Sequence, residues 1–289
     1  MNDQAELLRS LVAHNINDKP IESTKMKVIT IASGKGGVGK SNFSVNLALS
    51  LQKLGKKPII LDADFGLANV EIILGERPKY NLANVLSGQC EMKEIITKSK
   101  YDISFISGGS GIKEMMFLTP AQIDKLSRQL EVLEEVGDTL IVDTGAGIND
   151  IVLKFCNLAQ EIYIVITPEP TSITDGYALI KTIASKSTED TNIKIIINKA
   201  VSREEATQVF NNLFEVAKAF LKIEIQYGGY IPYDEKLFMA VKAQVPVSRY
   251  DEKAKSSIAY KEIAQSFCNI PIIPHKNNWL SKFKNLFSH

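Results

Sequence analysis

The chain has 289 residues, 45% hydrophobic and 23% charged, with 34 Lys and Arg against 33 Asp and Glu. That balance belongs to a folded globular protein with enough length to bury a sizeable core, and it excludes disordered and fibrous classes. A net charge of +1 argues against general nucleic-acid coating, no apolar run of about 18 residues offers a membrane span, and the polar start MNDQAELLRS is not a secretory signal.

Cys90, Cys156 and Cys268 lie far apart in no CxxC pair, so neither disulfides nor an intrachain zinc or iron–sulfur site is expected. His14, His275 and His289 sit in linkers or tails and share no metal site. The chain reads as one of a cytoplasmic, reducing compartment.

In chain order, residues 1–15 read as a short amphipathic helix followed by the polar linker NINDKPIESTK. From Lys27 onward, Ile- and Val-rich runs alternate with amphipathic stretches. Strands are expected at 27–34, 57–64, 102–109, 139–147, 161–170, 192–200 and 223–232. Helices are expected at 40–54, 119–136, 148–159, 172–186, 203–221 and 251–267. Strand–helix alternation implies right-handed crossovers: an α/β, doubly wound, mostly parallel sheet with helices on both faces. Its ligand should lie beyond the carboxyl ends of the strands. The expected division is a tail at 1–24, a core at 25–270, and a linker with terminal helix at 271–289.

The first strand runs into Ser33-Gly34-Lys35-Gly36-Gly37-Val38-Gly39-Lys40-Ser41, and a helix follows. From Gly34 to Ser41 this is G-x-x-x-x-G-K-[ST] in the strand–loop–helix setting of a P-loop. Glycines let backbone N–H groups ring a phosphate, and the helix N-terminus adds its positive dipole end. Lys40 can reach the β/γ oxygens, the Ser41 hydroxyl can take a Mg²⁺ position, and Asn42 follows on the helix's first turn. Strand two ends LDADFG, where Asp62 and Asp64 point one way and Ala63 the other. Beside a P-loop, one such carboxylate can serve water-bound Mg²⁺ and the other can orient an attacking water. Strand four ends LIVDTGAG, with Asp143 at a Walker B position.

KGGVGKS resembles the deviant Walker A motif of the MinD/ParA branch of P-loop ATPases, a SIMIBI-type group. The resemblance implies that Lys35 reaches across an ATP-held homodimer to the partner's phosphates, supplying charge in trans. It assigns Asp64 to the water and Asp62 to the outer shell of Mg²⁺, and it places Asn198, the backbone around Pro232, and Asp234 at the base. INKA lacks the Asp of the guanine-selective NKxD motif, which favours ATP.

The tails and the stretches TPEPTSITDGYALIK and DTGAGIND are similar to the FlhG (FleN, YlxH) branch of that family, the regulators of flagellar number and placement. Asp3, Gln4, Leu8 and Arg9 match its DQAxxLR segment, which implies stimulation of an FlhF-like GTPase of the signal-recognition-particle type, with Gln4 entering the composite site. Flagellar switch (C-ring) components or a flagellar transcription regulator are possible clients. At the other end, Trp279, Leu280, Phe283, Leu286 and Phe287 fall on one helical arc of about 120°, with Lys282 and Ser281 opposite. That is the composition of an interfacial helix binding an anionic membrane, and two copies in a dimer would bind by avidity. The same stripe could instead pack on the chain's own core. The expected function is a dimerising ATPase switch, cytoplasmic and reversibly peripheral on the inner face of the cell membrane. A division-site MinD, a ParA-type partition ATPase or a non-catalytic nucleotide-binding adaptor are the rivals.

Overall fold

Apolar β-branched runs form the centre of the molecule. The computed structural model describes residues 26–64, 69–109, 114, 117–186, 192–269 and 279–287. The strands are β1 (Lys27–Ala32), β2 (Pro58–Ala63), β3 (Thr97–Lys98), β4 (Ser104–Ser107), β5 (Thr139–Thr144), β6 (Glu161–Ile166), β7 (Asn192–Ala200) and β8 (Gln226–Pro232). They form one sheet in the order β3-β4-β2-β5-β1-β6-β7-β8. Every pairing is parallel except β3 with β4. The doubly wound parallel architecture expected from the alternation is therefore present. Two-residue β3 is an addition to the expected seven strands, too short to show any alternation.

The helices are α1 (Lys40–Lys53), α2 (Asn69–Leu74), α3 (Leu82–Leu86), α4 (Met92–Ile95), α5 (Pro120–Leu130), α6 (Val132–Val136), α7 (Asp150–Leu158), α8 (Pro170–Lys186), α9 (Arg203–Val216), α10 (Glu235–Lys242), α11 (Val247–Tyr250), α12 (Lys255–Asn269) and α13 (Trp279–Phe287). The single helix expected at 119–136 is two, α5 and α6, divided at Glu131. The helix expected at 203–221 ends instead in a π turn over Ala217–Leu221, closed by Lys222 in the left-handed region. The short α2, α3, α4, α10 and α11 were not expected.

Two hydrophobic layers cover the sheet. Phe43, Leu47 and Leu51 of α1 pack with Tyr260 and Ile263 of α12 on one face. Leu126 and Leu130 of α5, Phe155 of α7, Leu179 of α8 and Leu213 of α9 pack on the other, where they are joined by Trp279, Phe283 and Phe287 of α13. Cys156 is buried in this second layer, as its apolar surroundings predict. At the amino-terminal end of the sheet a buried ionic knot forms: Glu161 accepts Lys27 Nζ at 2.7 Å, Lys194 Nζ at 2.9 Å and the Tyr163 hydroxyl at 3.2 Å. The carboxyl ends of β1, β5 and β2 lie side by side at the other end.

Candidate active site

β1 delivers the chain to Ser33, and the loop to Ser41 is shaped by its glycines. Gly37 (φ 74°) and Gly39 (φ 100°) occupy the left-handed region that only glycine adopts freely. At Gly34 the constraint is contact: a β-carbon there would collide with the backbone of Asp175. α1 begins at Lys40 behind Gly39, which offers no side chain to cap it. The first-turn amides are thus left for an anion, reinforced by the helix dipole. Lys40 is buried, with its ammonium 3.0 Å from the Ser33 hydroxyl. Burial lowers its pKa, while Asp143 and Asp64 oppose that shift.

Asp62 and Asp143 are register partners across β2 and β5. Both are buried. The Asp62 carboxylate accepts the amides of Asp64 (3.2 Å) and Val70 (3.1 Å). One oxygen of Asp143 accepts the Ser44 hydroxyl at 3.0 Å, the nearby Ser41 hydroxyl favours its ionised form, and its Oδ2 is buried with no partner. Burial pushes Asp62 up to about 8, with the Asp143 charge adding to the effect, and pushes Asp143 up to about 6. Two buried carboxylates beside a serine hydroxyl, one with an orphaned oxygen, are a donor set that a hard divalent cation suits. Asp64 is half-buried and accepts the Asn69 amide at 3.0 Å. A β-carbon on Gly145 would lie 2.9 Å from its Oδ1, so the DTGAG turn packs directly on it. The same turn is tied to the P-loop, because the Gly147 amide donates to the Ser33 carbonyl at 3.0 Å.

Lys35 does not face its own phosphate loop. Its ammonium lies 2.8 Å from Glu169 Oε2, in the loop after β6, and 2.8 Å from the Thr171 hydroxyl, at the start of α8. Sequence reading missed Glu169 as its partner. The TPEPTSITDGYALIK stretch stands out in the sequence, but a separation of 134 positions carries no pairing signal.

The proposed base contacts separate. The Asn198 side-chain amide donates to the Val38 carbonyl at 2.6 Å, so it grips the P-loop. Both Asp234 oxygens are committed, one capping α10 through the Lys236 amide (2.9 Å) and the other accepting the Ser256 amide (2.9 Å) and hydroxyl (2.7 Å). Pro232 lines a pocket of about 310 Å³ with Val201, Tyr233 and Ile258. Lys199, given no role from sequence, donates from Nζ to the Gly37 carbonyl at 3.0 Å.

Asp3, Gln4, Leu8 and Arg9 lie outside the described residues. At the other end, the apolar stripe of α13 is docked on the core, with Trp279, Phe283 and Phe287 buried and Leu280 and Leu286 half-buried at its flanks. The indole N–H of Trp279 donates to Glu134 of α6 at 2.8 Å, Lys284 pairs with Asp124 of α5 at 2.7 Å, and the Phe287 ring sits 6.3 Å from that of Phe155. A void of about 30 Å³ remains beneath Trp279 and Phe283, lined wholly by apolar side chains including Leu126 and Leu130.

A family model described as ParA, NUBPL iron-transfer P-loop NTPase, matches residues 24–268. The chain is 40% identical over 258 residues to the antiactivator FleN of Pseudomonas aeruginosa, spanning 89% of this chain and 92% of that protein. It is 39% identical over 236 residues to the flagellum site-determining protein YlxH of Helicobacter pylori, spanning 80% and 78%. The chain belongs to the ParA/MinD family of P-loop ATPases, in its FlhG branch. Among solved structures it is similar to the MinC:MinD cell division protein complex of Aquifex aeolicus, with a TM-score of 0.67 and 29% identity over 86% of this chain and 98% of that one. As a member of this family it is an ATPase. Among the described residues no helix is long and apolar enough to cross a membrane.

Proposed function

We propose that this chain is an ATP-driven dimerising switch that regulates flagellar number or placement, hydrolysing ATP with water to ADP and phosphate. The flagellar assignment draws on the names of the relatives at 40% and 39% identity. The observation that carries the mechanism is the position of Lys35. A P-loop lysine parked on Glu169 and Thr171, outside its own phosphate nest, is available to a second protomer. There it meets the partner's triphosphate, and the triphosphate's charge holds the dimer together.

Within one protomer, Lys40 swings from Ser33 to the β/γ oxygens while the amides at the start of α1 receive the phosphates. Ser41, Asp143 and Asp62 would hold Mg²⁺, which when bound neutralises charge on the triphosphate. Asp64, aimed by Asn69 and braced by Gly145, orients the attacking water. Pro232 and the pocket beside it receive the base. Hydrolysis removes the γ-phosphate that Lys35 gripped, and the dimer dissolves.

In this reading the docked α13 is the closed state. Dimerisation frees it, and two copies bind an anionic membrane where one would not. The segment carrying Gln4 acts on an FlhF-like GTPase.

The test combines analytical ultracentrifugation with co-sedimentation on anionic vesicles, in Mg²⁺ and ATP. The wild type should dimerise and sediment. Lys40→Ala should do neither, Asp64→Ala should lock the dimer on lipid, and a chain ending at residue 277 should dimerise without sedimenting. An Asp64→Ala protein that stays monomeric with ATP would overturn the mechanism. Gln4→Ala should keep ATPase activity and lose stimulation of the partner GTPase.

A further inference from the structure

Two consecutive residues at the end of β7 reach the same loop. Asn198 donates to the Val38 carbonyl and Lys199 to the Gly37 carbonyl. Side chains that follow one another along a strand point to opposite faces, so this arrangement needs a local device. The backbone supplies it: Lys199 adopts φ 61°, and the pairing of β7 with β8 shifts register between Asn198 and Ala200. Left-handed backbone is uncommon for a residue with a β-carbon, and Lys199 is exposed, where one hydrogen bond to a carbonyl adds little to folding. Folding alone would be served better by Gly or Asn at this position.

The two carbonyls have a direct meaning for phosphate binding. Each belongs to a trans peptide unit, whose C=O and following N–H point in opposite directions. Holding the Gly37 carbonyl outward turns the Val38 N–H inward, and holding the Val38 carbonyl outward does the same for the Gly39 N–H. Flanked by left-handed Gly37 and Gly39, these amides are the ones a phosphate nest requires. We propose that Lys199 is a positioning residue for nucleotide binding, acting through its ammonium on the Gly37 carbonyl to keep the P-loop amides aimed at the phosphates. The inference rests on the P-loop's role as the nucleotide site and names a residue outside the P-loop that shapes it.

The test uses the full chain and a fluorescent ADP analogue with Mg²⁺, with nucleotide-free thermal unfolding measured in parallel. Lys199→Asn and Lys199→Gly relieve the backbone while removing the ammonium, Lys199→Met removes the ammonium only, and Lys199→Arg keeps the charge. Lys199→Asn and Lys199→Gly should unfold at or above the wild-type temperature, yet bind nucleotide about tenfold more weakly, as should Lys199→Met, while Lys199→Arg stays within about threefold. In steady-state hydrolysis the same variants should raise KM while kcat stays within about twofold. Lys40→Ala is the control for the site. If Lys40→Ala binds nucleotide normally, the nucleotide site itself is misplaced. If Lys40→Ala fails to bind but Lys199→Asn and Lys199→Met bind as tightly as wild type, the P-loop stands and the role given to Lys199 is overturned.

Discussion

Glu134→Ala should loosen the terminal helix without touching its apolar face. Trp279, Phe283 and Phe287 are each nearly fully buried under α13. Aromatic side chains bury about 150–250 Å² each, so at about 25 cal/mol/Å² the three contribute about 11–19 kcal/mol together. Ordering a helix of 9 residues costs about 14 kcal/mol, at about 1.5 kcal/mol per residue. The two nearly cancel, so docking is poised and small changes decide it. Glu134 accepts the Trp279 indole N–H at 2.8 Å, and Trp279 is only 1% exposed. Without that acceptor the buried donor loses about 1–3 kcal/mol, which raises the undocked population about 5- to 150-fold. Hydrogen exchange read by mass spectrometry should show residues 279–287 exchanging faster by that factor while β1 and β5 stay protected. At limiting ATP and Mg²⁺, co-sedimentation with anionic vesicles should rise above the wild type's. Unchanged exchange in α13, or acceleration spread equally through β1 and β5, would refute the account of a separately releasable helix.

Further expectations concern the site. Asp62 titrates near 8 in the fold against 3.8 ordinarily, because burial and the Asp143 charge disfavour its ionised form. A carboxyl raised in this way leaves native stability intact below the unfolded value and erodes it as pH climbs toward 8. In EDTA, Asp62→Asn should therefore match wild type near pH 4 and exceed it at pH 8. Relief of even one pKa unit, about 1.4 kcal/mol, lifts Tm by about 3–5 °C; parallel Tm profiles would contradict the placement. Glu169→Gln should release Lys35 and lower the ATP concentration for half-maximal dimerisation, which sedimentation at varied ATP would read. Gly34→Ala should lower Tm and abolish nucleotide binding because its β-carbon meets the Asp175 backbone. Gly36→Ala, whose nearest neighbour is the Ala146 β-carbon at 3.8 Å, should unfold like the wild type in a thermal melt.

The central strands and the glycine-shaped loop after β1 were legible because their signals are local: a β-branched run, an eight-residue glycine pattern and a helix directly after it. Asp62 and Asp143 were legible for the same reason, since each closes a strand. Short elements were not. β3 has two residues, and α3, α4 and α11 have four or five, too few to display a period. The partner of Lys35 was hidden because Glu169 becomes its neighbour only when the loop after β6 folds back over the loop after β1. Lys199 was hidden because its part depends on a left-handed backbone that nothing in INKA announces. In α13 the periodicity identified the apolar face correctly, but a stripe of Trp, Leu and Phe reads the same against lipid or against Leu126 and Phe155.

The knot at Glu161 bears on how this end of the molecule moves. Lys27, Glu161 and Lys194 lie at or near the starts of β1, β6 and β7, and the far ends of those same strands carry the P-loop, the Glu169 loop and the Asn198–Lys199 turn. In the proposed nucleotide cycle these three loops thus grow like tines from one riveted handle. Their tips can trade contacts, but their roots cannot drift apart, so a change in one loop is felt by the other two as a shift in relative position.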